Sequence, residues 1–263
     1  MGVRAAMRSP ATPPAVDKLA DRLAAIPGVI AVALGGSRAT GTARHDSDWD
    51  LAVYYRTSER RLDPDDVRAL GYTGEVSELG AWGPIVNGGA WLTVADHPVD
   101  LLFRDLDLAE HWLRESHAGR FEVLDQHGYL VGAPSYILAG ELAVGRPLEG
   151  QLPHAEFSDE LATSASRYWD GRARVSLMFA TIYADIGERV ACQGMLASAI
   201  LCAAHSRLTG RREWALNEKR LVQRAGLRHT DALILGDNQA LIDLTATVTQ
   251  VSVAIGIDPL RAR

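Results

Sequence analysis

The spacing of hydrophobic and polar positions changes near the middle of this chain. In the first half, short apolar runs alternate with turns that contain glycine or proline, which is typical of strands separated by loops. The clearest run is residues 29–34, which are rich in β-branched side chains and precede two glycines. A second strand is predicted over residues 50–55, and a hairpin over residues 89–104. Residues 15–26 and 105–115 have the spacing of helices.

From Ser158 onward, the apolar residues recur at intervals close to one helical turn. Ser158 precedes two acidic residues, which is a favourable start for a helix. Further helices are predicted at residues 188–208 and 213–225, and another is predicted to begin at Asp237 or Asn238. Together they indicate an up-and-down helical bundle.

The sequence therefore predicts three parts. They are a flexible N-terminal tail over residues 1–14, an α/β (α+β) domain with a small mixed sheet over residues 15–150, and an all-α helical bundle domain over residues 151–263.

Composition and charge are typical of a globular protein and argue against several classes of partner. Hydrophobic residues make up 47% of the 263 residues, which is enough for a sizeable core. The formal net charge of −6 argues against stable nucleic-acid binding, which requires a basic surface. No apolar stretch has the length of a membrane span. Cys192 and Cys202 lie too far apart in one predicted helix to form a disulfide. We therefore expect a cytoplasmic protein without a membrane partner.

The candidate chemistry begins directly after the first predicted strand, in the segment GGSRATGTARHDSDWDL over residues 35–51. Gly35 and Gly36 permit a sharp turn and a close approach to a ligand. Ser37 adds a hydroxyl, and the backbone N–H groups that follow would suit phosphate oxygens. The segment is a candidate phosphate-binding turn.

Three acidic residues complete the candidate site. Asp48 and Asp50 stand at alternating positions at the start of a predicted strand, so both side chains are expected on one face. Neighbouring carboxylates repel each other unless a cation lies between them, and Mg²⁺ binds through carboxylates together with substrate phosphates. Asp100, on the second strand of the predicted hairpin, would add a third carboxylate and permit a second metal ion.

A glycine-serine turn or one Asp-x-Asp pair would be a weak signal if it stood alone. Here the two occur together in strand, turn and strand order, with a later acid. This combination resembles the signature of the DNA polymerase β-like nucleotidyltransferase superfamily, in which a hydrophobic residue, Gly, and Gly or Ser precede Asp-x-Asp or Asp-x-Glu and a later acid. The matching positions are Leu34, Gly36, Ser37, Asp48, Asp50 and Asp100.

The resemblance implies a role for each of these positions. Asp48, Asp50 and Asp100 would hold two Mg²⁺ ions, and the triphosphate of ATP or another NTP would lie against the glycine-serine turn. The residues implied in nucleotide binding are Gly36, Ser37, Arg38, Ser47 and Lys219. For Arg38 and Lys219, an ordinary solvated side chain is an open alternative.

The helical second half is similar in architecture to the aminoglycoside nucleotidyltransferases. This likeness implies transfer of AMP from ATP to a hydroxyl of a small molecule such as an aminoglycoside-like antibiotic, with release of pyrophosphate and a role in antibiotic resistance. Two alternatives stay open, namely nucleotidylation of a protein, as by antitoxin-like members of the superfamily, and a non-catalytic nucleotide-binding regulatory module.

Overall fold

A six-stranded mixed sheet organises the N-terminal part of the fold. A computed structural model describes residues 12–235 and 244–258. Its strands are β1 (Val29–Leu34), β2 (Trp49–Tyr55), β3 (Thr73–Val76), β4 (Gly89–Val94), β5 (His97–Asp105), the short pair β6 (Val123–Leu124) and β7 (Ala133–Pro134), and β8 (Arg146–Gly150). The order across the main sheet is β3-β4-β5-β2-β1-β8, with β2 and β5 parallel and the other neighbours antiparallel.

The described residues also form a series of helices. They are α1 (Pro14–Ala24), α2 (Gly36–Ala39), α3 (Pro64–Arg68), α4 (Leu106–His117), α5 (Ile137–Val144), α6 (Asp159–Asp185), α7 (Arg189–Gly210), α8 (Leu221–Arg224), α9 (Asp231–Leu235) and α10 (Leu244–Ile255). The side chain of Ser158 accepts a hydrogen bond from the N–H of Leu161 at 3.0 Å and caps α6. The predicted fold class, a small mixed α/β sheet followed by helices, is confirmed.

The chain divides into two compact units. The first contains the described residues up to Arg114 together with Glu122–His127 and Pro134–Glu156, and the second contains Glu115–Phe121, Gly128–Ala133 and the described residues from Phe157 onward. Residues 1–11 of the predicted tail, and the predicted helix start at Asp237 or Asn238, lie outside the described residues. No helix in the described part of the chain is long and apolar enough to cross a membrane.

One face of the sheet packs against α1. Leu19 and Leu23 of α1 share a buried core with Leu51 of β2 and Leu101 of β5. Because side chains alternate along a strand, every second residue of β2 and β5 then points to the opposite face. The buried apolar positions of these strands therefore determine where their polar positions lie.

The opposite face is covered at one end and open at the other. At the covered end, buried Arg104 of β5 donates two hydrogen bonds, at 2.6 and 2.7 Å, to the carboxylate of Glu141 on α5. Tyr54 stands beside Arg104 in the register of β2 and β5, and burial raises its pKa, with a further contribution from Glu141. Four residues earlier on each strand, the same face carries Asp50 and Asp100.

The helix predicted over residues 213–225 forms only at its C-terminal end, as α8. Instead, the carboxylate of Glu218 accepts the N–H groups of Leu130 and Val131 at 2.9 and 3.0 Å. Trp214 packs against the ring of Phe157. These contacts within the second unit require an irregular backbone, so they override the local preference for a helix.

The core of the second unit contains a buried histidine, His205. His205 of α7 is fully buried and stacks on Trp169 of α6, with 4.4 Å between ring centroids. Neither ring nitrogen has a partner among the described residues. Burial lowers the pKa of His205 to about 3, and the nearby charges of Arg172 and Arg224 act in the same direction.

Replacing His205 by Phe should therefore keep or raise stability, since the stacked ring is retained and two unpaired polar atoms are removed. The unfolded chain binds a proton on His205 below its ordinary pKa of 6.5, whereas the folded protein does not until about pH 3. In the parent, this histidine lowers the free energy of unfolding by up to about 1.4 kcal/mol per pH unit as pH falls through that window.

Urea unfolding of parent and His205→Phe at about pH 7 and about pH 5 measures both effects. The variant should lose less stability than the parent between the two values. A loss of more than about 2 kcal/mol in the variant near neutral pH would show instead that the ring nitrogens have partners.

Candidate active site

Two carboxylates lie side by side on the open end of the sheet. Asp50 of β2 pairs in register with Asp100 of the parallel strand β5. Their strand neighbours Leu51 and Leu101 are buried against α1, so both aspartates lie on the other face, where each is half-buried. Neighbouring strands are about 4.8 Å apart, which brings two such carboxylates within reach of a single cation.

The turn that follows β1 lies directly against Asp50. The N–H of Gly35 donates to the backbone carbonyl of Asp50 at 2.8 Å. Gly36 begins α2 with a φ of +59°, in the left-handed region that favours glycine. A Cβ atom at residue 36 would overlap the Asp50 carboxylate. The turn therefore approaches this carboxylate as closely as a backbone can, so a ligand held by the turn would also contact the acid.

Asp48 precedes β2 and is exposed. The Nε of Arg38 donates to its backbone carbonyl at 3.1 Å, and a second guanidinium nitrogen donates to the carbonyl of Ser47. The same guanidinium lies over the ring of Trp49, 4.0 Å from the centroid. Arg38 thus supports the segment that leads into β2, a contact that the sequence did not predict.

The two predicted serines occupy the connection between α2 and β2. The backbone carbonyl of Ser37 accepts a hydrogen bond from the N–H of Thr42 at 2.9 Å, which closes the end of α2. The hydroxyl of Ser47 accepts the N–H of Arg44 at 2.8 Å. Both serines therefore lie on a segment that ends at Asp50.

Lys219 lies in the second unit. It is exposed, in a turn that the side chain of Asn217 closes by accepting the N–H of Lys219 at 2.9 Å. Its predicted role in nucleotide binding stays a prediction.

The two carboxylates suit a divalent cation that is also bound by the phosphates of a ligand. Mg²⁺ in proteins is held through one or two carboxylates together with substrate phosphates, and Asp50 and Asp100 supply two carboxylates beside a candidate phosphate turn. In the described part of the chain, no group of three or more His, Cys, Asp or Glu side chains is arranged to hold a metal ion. The structure thus brings Asp50 and Asp100 together, but it does not bring Asp48 into a three-acid cluster with them.

An aromatic side chain that the sequence pattern did not indicate lies beside this pair. Trp91 of β4 pairs in register with Asp100, and 54% of it is exposed. It stacks on Trp82, with 4.7 Å between ring centroids. The predicted hairpin contained enough information to find this residue, because a tight turn at Ala95 and Asp96 places Trp91 opposite Asp100.

Comparisons with known proteins bear on this geometry. The family model described as "nucleotidyltransferase domain" matches residues 16–106, which include the glycine-serine turn and all three acids. No curated protein sequence matches the chain. Residues 16–106 form a nucleotidyltransferase domain of the DNA polymerase β-like superfamily. The protein is therefore a transferase, and nucleotidyltransferases pass a nucleotidyl group from a nucleoside triphosphate to an acceptor.

Solved structures that are similar to this chain include the following three, all at low identity. A nucleotidyltransferase-like protein from Exiguobacterium sibiricum is 12% identical, with a TM-score of 0.42 over 92% of this chain and 72% of that one. An aminoglycoside 6-adenyltransferase from Bacillus subtilis is 9% identical, with a TM-score of 0.28 over 92% and 89%. A cytoplasmic RNA terminal U-transferase is 15% identical, with a TM-score of 0.26 over 59% and 64%.

The contact between Gly36 and Asp50 gives a direct test of the nucleotidyltransferase domain. A Gly36→Ala variant should lose at least about tenfold in affinity for the magnesium complexes of the NTPs, since its Cβ would displace the Asp50 carboxylate. Gly41→Ala is the matched control. Gly41 also has a positive φ, +70°, but nothing lies within 4 Å of its Cβ position.

Calorimetric titration with each Mg²⁺–NTP complex measures the effect. Both variants carry a backbone strain of about 1–2 kcal/mol, so equal melting temperatures would show that strain is matched between them. Equal losses of nucleotide affinity in the two variants would exclude a nucleotide-binding role for the contact between the turn and Asp50.

Proposed function

We propose that the protein transfers a nucleoside monophosphate from an NTP, with ATP as the expected donor, to a hydroxyl group of a small molecule and releases pyrophosphate. The observation that carries the proposal is the pairing of Asp50 with Asp100 directly beside the Gly36 turn. That arrangement supports the proposal, because a backbone turn suited to phosphate and two carboxylates suited to a metal ion lie beside each other, and phosphoryl chemistry uses both.

In the proposed reaction, the acceptor oxygen forms a bond to the α-phosphorus while the bond from that phosphorus to the bridging oxygen breaks. Pyrophosphate leaves, and the proton of the acceptor hydroxyl passes to the carboxylate of Asp100. Gly36 and Ser37 orient the triphosphate, which fixes the α-phosphate beside Asp50. When bound, Mg²⁺ would neutralise the charge that develops on the phosphate oxygens.

The remaining assignments are part of the same proposal. Asp48 joins Asp50 and Asp100 as a ligand of two Mg²⁺ ions, which requires its exposed side chain to turn toward the pair. Arg38 and Ser47 position the segment that carries Asp48. The contacts of Arg38 with the Ser47 and Asp48 carbonyls support the positioning role.

The proposed acceptor is an aminoglycoside-like molecule, and the protein would then confer antibiotic resistance. The resemblance to the antibiotic-modifying members of the superfamily supports this choice. The formal net charge of the chain, −6, also suits a cationic acceptor better than an anionic one.

Pyrophosphate release should require one acceptor and should fall by at least about 10³-fold in Asp50→Asn and Asp100→Asn. The assay supplies each of the four NTPs with Mg²⁺ and a panel of aminoglycosides and lincosamides. Asp96→Asn is a matched control, because Asp96 is an exposed aspartate in the same hairpin and its φ of +66° suits Asn.

The melting temperatures of the two site variants should stay near that of the parent, because each variant removes repulsion between neighbouring carboxylates. Retained turnover in Asp50→Asn would refute the proposed role of the pair. If no small molecule supports release, incubation with cell lysate and labelled ATP, followed by intact-mass analysis, would reveal a modified protein and favour a protein acceptor.

A further inference from the structure

A row of four side chains crosses the open face of the sheet at the level of the carboxylate pair. Strand pairing places Glu75 of β3 opposite Trp91 of β4, Trp91 opposite Asp100 of β5, and Asp100 opposite Asp50 of β2. Residues paired in register point to the same face of a sheet. At about 4.8 Å per strand, the row extends roughly 10 Å from Asp100 outward to Glu75.

Trp82 and Trp91 form the tryptophan platform of this row. Trp82 packs across Gly89, where a Cβ atom would lie 2.6 Å from Cζ3 of the indole. Gly89 is two residues before Trp91 on β4, so both indoles lie on the open face. Small-molecule sites are lined mainly by hydrophobic and aromatic side chains beside a few polar groups, and the two indoles next to the acids have this composition.

A buried side chain forms hydrogen bonds to the backbone of the loop that carries Trp82. The amide nitrogen of Gln126 donates to the backbone carbonyl of Trp82, and its oxygen accepts the N–H of Val86 at 3.2 Å. Gln126 is only 4% exposed. A hydrogen-bonded buried amide fixes the loop, so the platform is built in advance rather than formed by a mobile segment.

The geometry of the proposed reaction decides which reactant lies on this platform. The phosphate turn follows β1, which borders β2 on the side away from β5. With the β- and γ-phosphates at Gly36, an in-line displacement brings the attacking hydroxyl from the opposite side of the α-phosphorus. That side is β4, where Trp91 stands.

We infer that Glu75, Trp82 and Trp91 form the acceptor subsite and that they select a hydroxylated ring that carries an ammonium group. The inference rests on the proposed function. Indole faces bind sugar-like rings and cations, and the carboxylate of Glu75 at the outer end of the row attracts an ammonium group. No ion pair from a described residue reaches Glu75, so its charge is available to a ligand.

Kanamycin A, a cationic three-ring aminoglycoside, and maltotriose, a neutral sugar of three rings, are suitable probes. Calorimetry should show that kanamycin A binds the parent in the absence of nucleotide and that maltotriose binds at least about tenfold more weakly. Trp91→Ala should weaken kanamycin A binding at least about tenfold and change the Kd for Mg²⁺–ATP by less than about twofold.

Two matched variants separate stacking from a general disturbance of the strand. Trp91→Phe keeps an aromatic face and should retain most of the affinity for kanamycin A. Thr93→Ala, two residues along the same face of β4 and outside the row, should have no effect. Glu75→Gln should weaken the binding of kanamycin A and leave the affinity for maltotriose unchanged, since it removes the negative charge of the side chain without changing its shape.

The inference is overturned if kanamycin A does not bind the parent, if Trp91→Ala leaves its affinity unchanged, or if Mg²⁺–ATP affinity falls in parallel. In the last case, the platform stacks the nucleobase. Failure of the proposed function is a separate result. Kanamycin A would then bind through Trp91, but neither it nor any other acceptor would support pyrophosphate release.

Discussion

The parallel pairing of β2 with β5 is the constraint on which the site depends. It places Asp50 and Asp100 in register, and the alternation of side chains puts both on the face that α1 leaves open. Two neighbouring carboxylates would be unfavourable there without a compensating charge. The sheet therefore fixes two neighbouring acids at the position where we propose that a cation and its bound phosphate lie.

The same face shows how one sheet serves two purposes. Toward the other end of β5, Arg104 is buried and forms a two-point ion pair with Glu141 of α5. The two charges of that ion pair neutralise each other, so this end of the face stabilises the fold and is covered by α5. The other end carries Asp50 and Asp100 side by side, next to the backbone of Gly36.

Glycine is required where this backbone meets the carboxylate. At Gly36, both the positive φ and the overlap of a Cβ with Asp50 exclude a side chain. At Gly89, the missing side chain makes room for the indole of Trp82. One glycine thus brings the phosphate turn against the acid, and the other lets an aromatic ring lie beside it. Together they define the donor side and the proposed acceptor side.

The sequence by itself determined the strands β1, β2, β4 and β5, the glycine-serine turn and the acids, because period-two alternation and turn residues are local signals. The chain matches the predicted bounds of β1, and it caps α6 at the predicted Ser158. Tertiary structure alone decided the rest. Strand order made neighbours of Asp50 and Asp100, and of Trp91 and Glu75, while the contacts of Glu218 replaced most of a predicted helix. Such pairings join residues far apart in the chain, so no local pattern encodes them.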